Sequence, residues 1–335
     1  MKRLRIMLLV AGGTTLSAKG SDNIKVRSAK DLADWINEIQ ELNIIADIES
    51  VFISSGQGSQ INADFWERIV KEVQKAYQRC DGFVLTHDIE TVHYTAPALA
   101  CAMDDIGKPF VITASPYDLM YRSVPDNIRK IFDDYRGFGN KDNLLNALHI
   151  AVADLSGVLL VFGNQVHRAL EVSPNRIPNL NYFHSISGST FGKIDFGLKF
   201  FPPISGRHNR KFKPSLKFES DIASLEINPS TNADQIKQIA LKKPTALILR
   251  VAELMAIPKG INVELLKLQK QKIPVLVFQE FQTKQTRSPF IFLSGIPYHT
   301  AFVFMLWALG QSKSLPVIRK LLQDKVKQAL KKGAA

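Results

Sequence analysis

The stretch DGFVLTHDIETVHYTAPALACAMDDIGKPFVITAS, residues 81–115, carries the pattern that decides the fold. Its two short apolar runs, GFVLT (82–86) and PFVITA (109–114), are continuous rather than alternating, as expected of strands buried on both faces. Between them a helix follows the polar cluster THDIETV (86–92). Two strands of one sheet joined through a helix lie parallel, linked by a right-handed crossover. The polar cluster then falls at the carboxyl end of the first strand.

The same pattern extends outward. LRIMLLV (4–10), SVFISS (50–55) and GVLLVFG (157–163) read as further buried strands. Phe65, Trp66, Ile69, Val70, Val73, Tyr77 and Cys80 recur at three- and four-residue spacing, one face of a helix over 63–80 with Asp64 near its start. A second helix is expected over 140–153 through Leu144, Leu145, Leu148 and Ile150. After the Pro-, Gly- and charge-rich FFPPISGRHNRKFKPS (200–215), strands at 222–227, 245–251, 273–279 and 290–294 alternate with helices near 232–241, 260–272 and 299–309, and a last helix covers 316–330. The expectation is an α/β protein. A large N-terminal domain (1–199) has a mostly parallel, doubly wound sheet, 200–215 is a linker, and 216–335 is a smaller C-terminal α/β domain.

The 335 residues suffice for one large or two moderate domains, and 45% hydrophobic with 22% charged residues is ordinary for a globular protein. Cys80 and Cys101 make neither a disulfide framework nor a metal spacing, which suits a reducing cytoplasm. The opening MKRLRIMLLVAGG has a basic head, but its apolar run is too short for a secretory leader and reads as a first strand. The formal charge of +12 is concentrated in 207–217 and in the final stretch from Arg319. Without an RNA-binding motif around it, this charge reads as a solvated linker and a solvated helix face; neither nucleic acid nor membrane is expected as a partner.

Ligands of such sheets bind beyond the carboxyl ends of the strands, which selects AGGTTLS (11–17), THDIETV (86–92) and TASPYDL (113–119). The paired glycines of the first loop let the backbone bend and present Thr14; a plain tight turn is the alternative. G-x-G-x-x-G is absent, so no dinucleotide cofactor is expected. In the second loop Asp88 or Glu90 could act as a base or hold an ammonium group, while the alternative is an N-cap by Asp88 or Thr91. No histidine lies at metal-ligand spacing, and GSTFG (188–192) reads as a polar turn rather than a serine-hydrolase elbow.

In order along the chain these segments resemble the bacterial-type L-asparaginases, particularly the cytoplasmic type I group. LLVAGGTTLS is similar to that family's first strand and T-G-G-T-I loop. Residues 81–115 are similar to its stretch with H-G-T-D-T-M and G-K-P, and KPTALILR (243–250) to the central strand of its small domain. The resemblance implies an amidohydrolase that converts L-asparagine and water to L-aspartate and ammonia without a cofactor. It also implies a homodimer or homotetramer binding asparagine or aspartate. The nucleophile position is Thr14. The second catalytic threonine position falls on Ile89, whose backbone N–H would remain an oxyanion donor. The aspartate that holds the substrate amino group is Glu90, and the catalytic lysine position falls on Pro174. The substrate-carboxylate position falls at Gly58 with Ser59 and Gln60 adjacent, Ser54 and Ser55 being alternatives. The expected site is therefore Thr14 and Glu90 for chemistry, with Ser59, Gln60, Ile89 and Glu90 against substrate. Because Ile89 and Pro174 replace a hydroxyl and an amine, the resemblance implies weakened turnover. The alternative is an inactive homologue that binds an amino acid or regulates. A tRNA-dependent amidotransferase component of the same lineage is a third reading, disfavoured here because the chain opens directly on the first strand.

Overall fold

The computed structural model describes residues 3–11, 28–38, 40–54, 61–115, 140–175, 182–201, 204–251, 257–279 and 288–330. The chain divides into two compact units, one running to Leu216 and the other from Lys217 to Lys331.

In the first unit, β1 (Arg5–Val10) leads through α1 (Ala29–Glu38) and α2 (Gln40–Ile45) to β2 (Asp47–Phe52), and through α3 (Ala63–Ala76) to β3 (Gly82–Asp88). Then come α4 (Val92–Ala102), β4 (Pro109–Ser115), α5 (Asn140–Val152) and β5 (Gly157–Phe162). These strands lie in the order β2-β1-β3-β4-β5, all parallel. Beyond β5 the sheet continues antiparallel through β6 (Gln165–Arg168), β9 (Gly192–Ile194) and β10 (Leu198–Phe200). A separate hairpin joins β7 (Val172–Pro174) to β8 (Phe183–Ser185).

Both faces of the parallel sheet are covered. Ile6, Leu8, Val10, Val84 and Val111 pack with Leu32, Leu42, Leu144 and Leu148 from α1, α2 and α5. On the opposite face Tyr77, just past α3, stacks on Phe83, which stacks on Phe110, each at 6.3 Å between centroids. Burying such a ring contributes about 2–3 kcal/mol. Asn62 caps α3 by accepting the Phe65 N–H at 2.9 Å. Trp66 of α3 donates its indole N–H to Thr95 of α4 at 3.0 Å, which fixes the helix that follows the candidate loop.

The second strand begins three residues before its expected start. As the outer strand it is only half-buried and carries Asp47 and Glu49, with Glu49 receiving Arg79 at 3.0 and 3.1 Å. Apolar continuity is therefore the wrong signal for it. The segment read as a solvated linker is fastened to the first unit instead. Phe212 stacks on Tyr77 at 4.4 Å, the His208 N–H reaches the Gly107 carbonyl, and Arg207 donates to the carbonyls of Asp81, Ala151 and Ala153.

In the second unit β11 (Ile222–Ile227), β12 (Ala246–Val251), β13 (Val275–Gln279) and β14 (Ile291–Leu293) form a parallel sheet in sequential order. One face is covered by α6 (Ala233–Leu241) and α7 (Lys259–Lys270) through Ile236, Leu265 and Leu268. The apolar α8 (Tyr298–Gln311) sets Tyr298 edge-on to Phe278 at 5.3 Å, and α9 (Leu315–Ala329) buries Ile318 and Leu322. Asn232 and Gln235 complete a capping box at α6. No described helix is long and apolar enough to cross a membrane.

Candidate active site at the carboxyl ends of the parallel strands

In the order β2-β1-β3-β4-β5 the direction of winding reverses between β1 and β3, the place at which ligands of such sheets bind. The register places Val10 beside Thr86, and the Ala11 N–H donates to the Thr86 carbonyl at 3.1 Å. On the other side of β1 the Ser54 N–H reaches the Val10 carbonyl at 3.2 Å, while Asp88 pairs with Ser115 of β4. All three candidate loops thus leave the sheet from adjoining strand ends. Thr14, Ser59 and Gln60 lie outside the described residues, as does Ser55.

The second loop is described in full. Thr86 and His87 are completely buried, Ile89 is 3% exposed, and Glu90 is exposed. His87 follows Phe83 and Leu85 onto the α3 face, where the Phe65 ring meets it edge-on at 5.7 Å. Its Nδ1 lies 2.9 Å from the Asp88 carbonyl. Burial pulls its pKa down to about 4, against the opposing effect of that hydrogen bond. The ring is neutral at physiological pH and packs as part of the core. Thr91 occupies the N-cap of α4 but makes no side-chain cap bond, so the N-cap reading holds for its backbone only.

Pro174, at the position counted as the lysine, lies in β7 opposite Phe183. The next residue, Asn175, donates its N–H to the Tyr182 carbonyl at 2.7 Å. Tyr182 packs against Phe162 and Phe183, and its phenol pKa is raised by burial and then by the charge of Glu90. The hairpin carrying position 174 and the loop carrying Glu90 are therefore electrostatic neighbours. Proline has no side-chain group that can hold or pass a proton.

A buried polar cluster beside this hairpin went unread in the sequence. His167 Nδ1 lies 2.9 Å from Ser185 Oγ, and Ser187 donates to Glu171 at 2.6 Å, with Arg168 at 3.5 Å from the same carboxylate. His167 and Ser185 are 1% and 6% exposed, and burial draws the imidazole pKa down to about 4. The pair joins β6 to β8 as a buried clasp. Its signal was faint, since the four-residue β6 buries its two central residues, Val166 and His167, and is too short to show an alternation. Cys80 is also inert: burial, then the adjacent Glu49 carboxylate, push its thiol up to about 11. Among the described residues no group of His, Cys, Asp and Glu is arranged to hold a metal ion.

The fold is that of a doubly wound α/β protein whose topological switch point lies between β1 and β3. Residues 5–131 match the family model described as asparaginase, N-terminal. A glutamyl-tRNA(Gln) amidotransferase chain from Methanosarcina acetivorans is 24% identical over 346 residues, covering 96% of this chain and 77% of that protein. The L-asparaginase 1 of Escherichia coli K12 is 26% identical over 207 residues, and the match spans 57% of this chain and about half (53%) of that relative. The crystal structure of L-asparaginase I from Vibrio cholerae shares the fold, with a TM-score of 0.76 at 20% identity over 96% of this chain and 97% of that one. The N-terminal part of the chain is thus similar to the asparaginase family, and its fold is the one seen in solved asparaginases.

Proposed function

We propose that this chain is an asparaginase-type amidohydrolase of weakened turnover that retains a pocket for asparagine or aspartate. In this reading Thr14 Oγ bonds to the side-chain carbonyl carbon, the C–N bond breaks, and ammonia leaves with the hydroxyl proton. Water then hydrolyses the ester, releasing aspartate and restoring Thr14. Glu90 holds the substrate ammonium group, Ser59 and Gln60 meet its carboxylate, and the Ile89 N–H faces the developing oxyanion. The carrying observation is Ile89 itself, a buried apolar side chain at the end of the strand that adjoins the one leading to Thr14. A hydroxyl nucleophile needs a proton acceptor. Loss of cooperating relay members costs on the order of 10³–10⁶ in rate. A cytoplasmic homodimer or homotetramer belongs to the same reading.

A second reading, an amino-acid-binding homologue without turnover, is favoured by the character of the side chains around the loop. Ile89 and Pro174 carry no proton, and His87 is neutral and fully buried. Ammonia release from L-asparagine by the purified full-length chain, compared with Thr14→Ala, separates the two. Slow release abolished by the substitution is the expected result. Release that survives it overturns the nucleophile assignment, and no release above the Thr14→Ala background leaves the binding reading.

A further inference from the structure

We propose that a lysine-lined edge of the second unit binds the phosphate backbone of double-stranded nucleic acid. Such binding is independent of the amidohydrolase reading and departs from the expectation that composition alone supports.

Residues 217–331 carry 17 Lys and Arg against 8 Asp and Glu, so this unit holds most of the chain's net charge of +12. Part of that charge is neutralised in place. Lys237 pairs with Asp234, Lys267 with Glu264 and Lys313 with Glu219, each at 2.8 Å. Lys242, Lys243, Lys270 and Lys272 are exposed and form no ion pair among the described residues. These four stand where α6 and α7 end and β12 and β13 are about to begin. The two strands are parallel neighbours, and the Leu247 N–H donates to the Pro274 carbonyl at 2.9 Å, so the two connections run side by side.

The backbone at this edge is unusual in the same way twice. Each helix closes on a lysine in the left-handed conformation, with φ of 49° at Lys243 and 64° at Lys272. The Lys272 N–H reaches the Gln269 carbonyl at 2.9 Å and the Ile273 N–H the Leu268 carbonyl at 3.0 Å, a complete Schellman closure. At α6 the Lys243 N–H reaches the Ala240 carbonyl at 3.1 Å, and Pro244 has no N–H for the second bond. Glycine takes this conformation without steric cost and is the usual residue there. A cation near a helix carboxyl end suits the dipole, but Lys242 and Lys270 already supply one to each helix. Lysine at both left-handed positions keeps a disfavoured backbone, and strain retained twice at one edge points to a use for the side chains.

The edge selects its ligand. Pro244, Ile273 and Pro274 are buried, so the connections turn their apolar residues inward and their lysines outward. Leu241 beside them is exposed, too little apolar surface to hold a bilayer. Neither 241–245 nor 270–274 contains an aromatic ring on which an unpaired base could stack. A row of cations remains. Neighbouring strands lie about 4.8 Å apart, and phosphates recur about every 3.4 Å of axis along one strand of a duplex. On the β11 side the row ends at the exposed Asp221, whose carbonyl takes the Thr245 N–H at 2.9 Å. On the β14 side it continues with Arg319, which donates to the Phe290 carbonyl at 3.3 Å.

The test uses the full-length chain and a short fluorescein-labelled DNA duplex, followed by fluorescence anisotropy across a salt series. A Kd of about 10 μM at physiological salt is expected, with a log–log salt slope of about −3 to −4 for four phosphates neutralised. The variant Lys242→Gln, Lys243→Gly, Lys270→Gln, Lys272→Gly loses about tenfold or more in affinity and most of the slope. Its unfolding midpoint is not lowered, because glycine suits both left-handed positions. Lys243→Arg with Lys272→Arg keeps the charge and binds within about threefold of the parent. A control variant, Lys71→Gln, Lys75→Gln, Lys193→Gln, Lys199→Gln, removes the same charge from exposed positions of the first unit and also binds within about threefold. Equal losses in the control and the edge variant show attraction by net charge alone and overturn the proposal. A midpoint lowered in the edge variant shows lysines that serve the fold and overturns it too. A parent chain that binds no duplex, or that binds phosphatidylserine vesicles instead, does the same.

Discussion

The backbone N–H of Ala11 donates to the carbonyl of Thr86 at 3.1 Å. This bond ties the first residue beyond β1 to the chain just ahead of Ile89, so the two loops that matter most to the proposed chemistry start from one point. In the proposed site, Ile89 stands where the resemblance expects a group that exchanges protons with the first loop.

Restoring the relay is accordingly the sharpest test of the residue assignments. The triple variant Ile89→Thr, Glu90→Asp, Pro174→Lys is expected to raise ammonia release from L-asparagine by about 10³ or more, while Ile89→Thr alone gives little, because relay members act as a unit. Steady-state kinetics with coupled ammonia detection would check this. A folded triple variant with no gain would show that position 174 is not where the lysine belongs.

Gly82 opens β3 against α5. A Cβ there would lie 2.6 Å from the Ala151 carbonyl oxygen and 3.0 Å from Ile6 Cδ1. The carbonyl belongs to the helix backbone and cannot rotate away, so the helix must shift from the sheet. Gly82→Ala is expected to cost about 2–3 kcal/mol, measured as a lower urea midpoint at unchanged m-value.

Much of this architecture was legible because buried parallel strands announce themselves. The β1, β3, β4 and β5 segments are continuous apolar runs, and in the second unit the four strand positions follow equally from their runs. Legibility failed where burial was one-sided or strands were short. The edge strand β2 mixes Asp47 and Glu49 with apolar residues, and β7 to β10 have three residues each, too few to show a period of two. The loop at 86–92 was recognisable as the end of a strand, with Asp88 and Glu90 as its candidate chemistry, but the burial of His87 within it went unread. The alternation Phe83, Leu85, His87 already placed it on the Phe65 face. For 200–215, composition misled: proline, glycine and charge suggested solvent, whereas Phe212 and Arg207 are held by the first unit.

Arg207 offers a measure of that attachment. Its guanidinium donates to the Ala153 carbonyl at 3.1 Å, to Ala151 at 2.8 Å and to Asp81, and its N–H reaches Asp154 at 3.0 Å. Arg207→Ala leaves three half-buried carbonyls without their shared donor and is expected to cost about 2–4 kcal/mol in urea unfolding. Because Ala151 is also the residue a Gly82 side chain would displace, the two substitutions should be non-additive in a double-mutant cycle. Strict additivity would show that Arg207 does not hold the end of α5.

The buried histidines set the response to acid. In the folded chain burial holds His87 and His167 at about 4, against an ordinary value of 6.5. Above pH 6.5 both folded and unfolded forms are neutral, and these residues add no pH dependence. As pH falls through 6.5 the unfolded chain takes up protons that the folded chain refuses, so stability declines until about pH 4, where the folded form is protonated as well. Each histidine then accounts for a loss on the order of 3 kcal/mol across that window. Urea unfolding at pH 7.5 and pH 4.5 should show the decline, with a smaller difference in His167→Gln, which keeps a polar partner for Ser185 without a titrating ring. An equal difference in parent and variant would mean that His167 is protonated in the folded chain, and the clasp would then have to be a charged pair open to water.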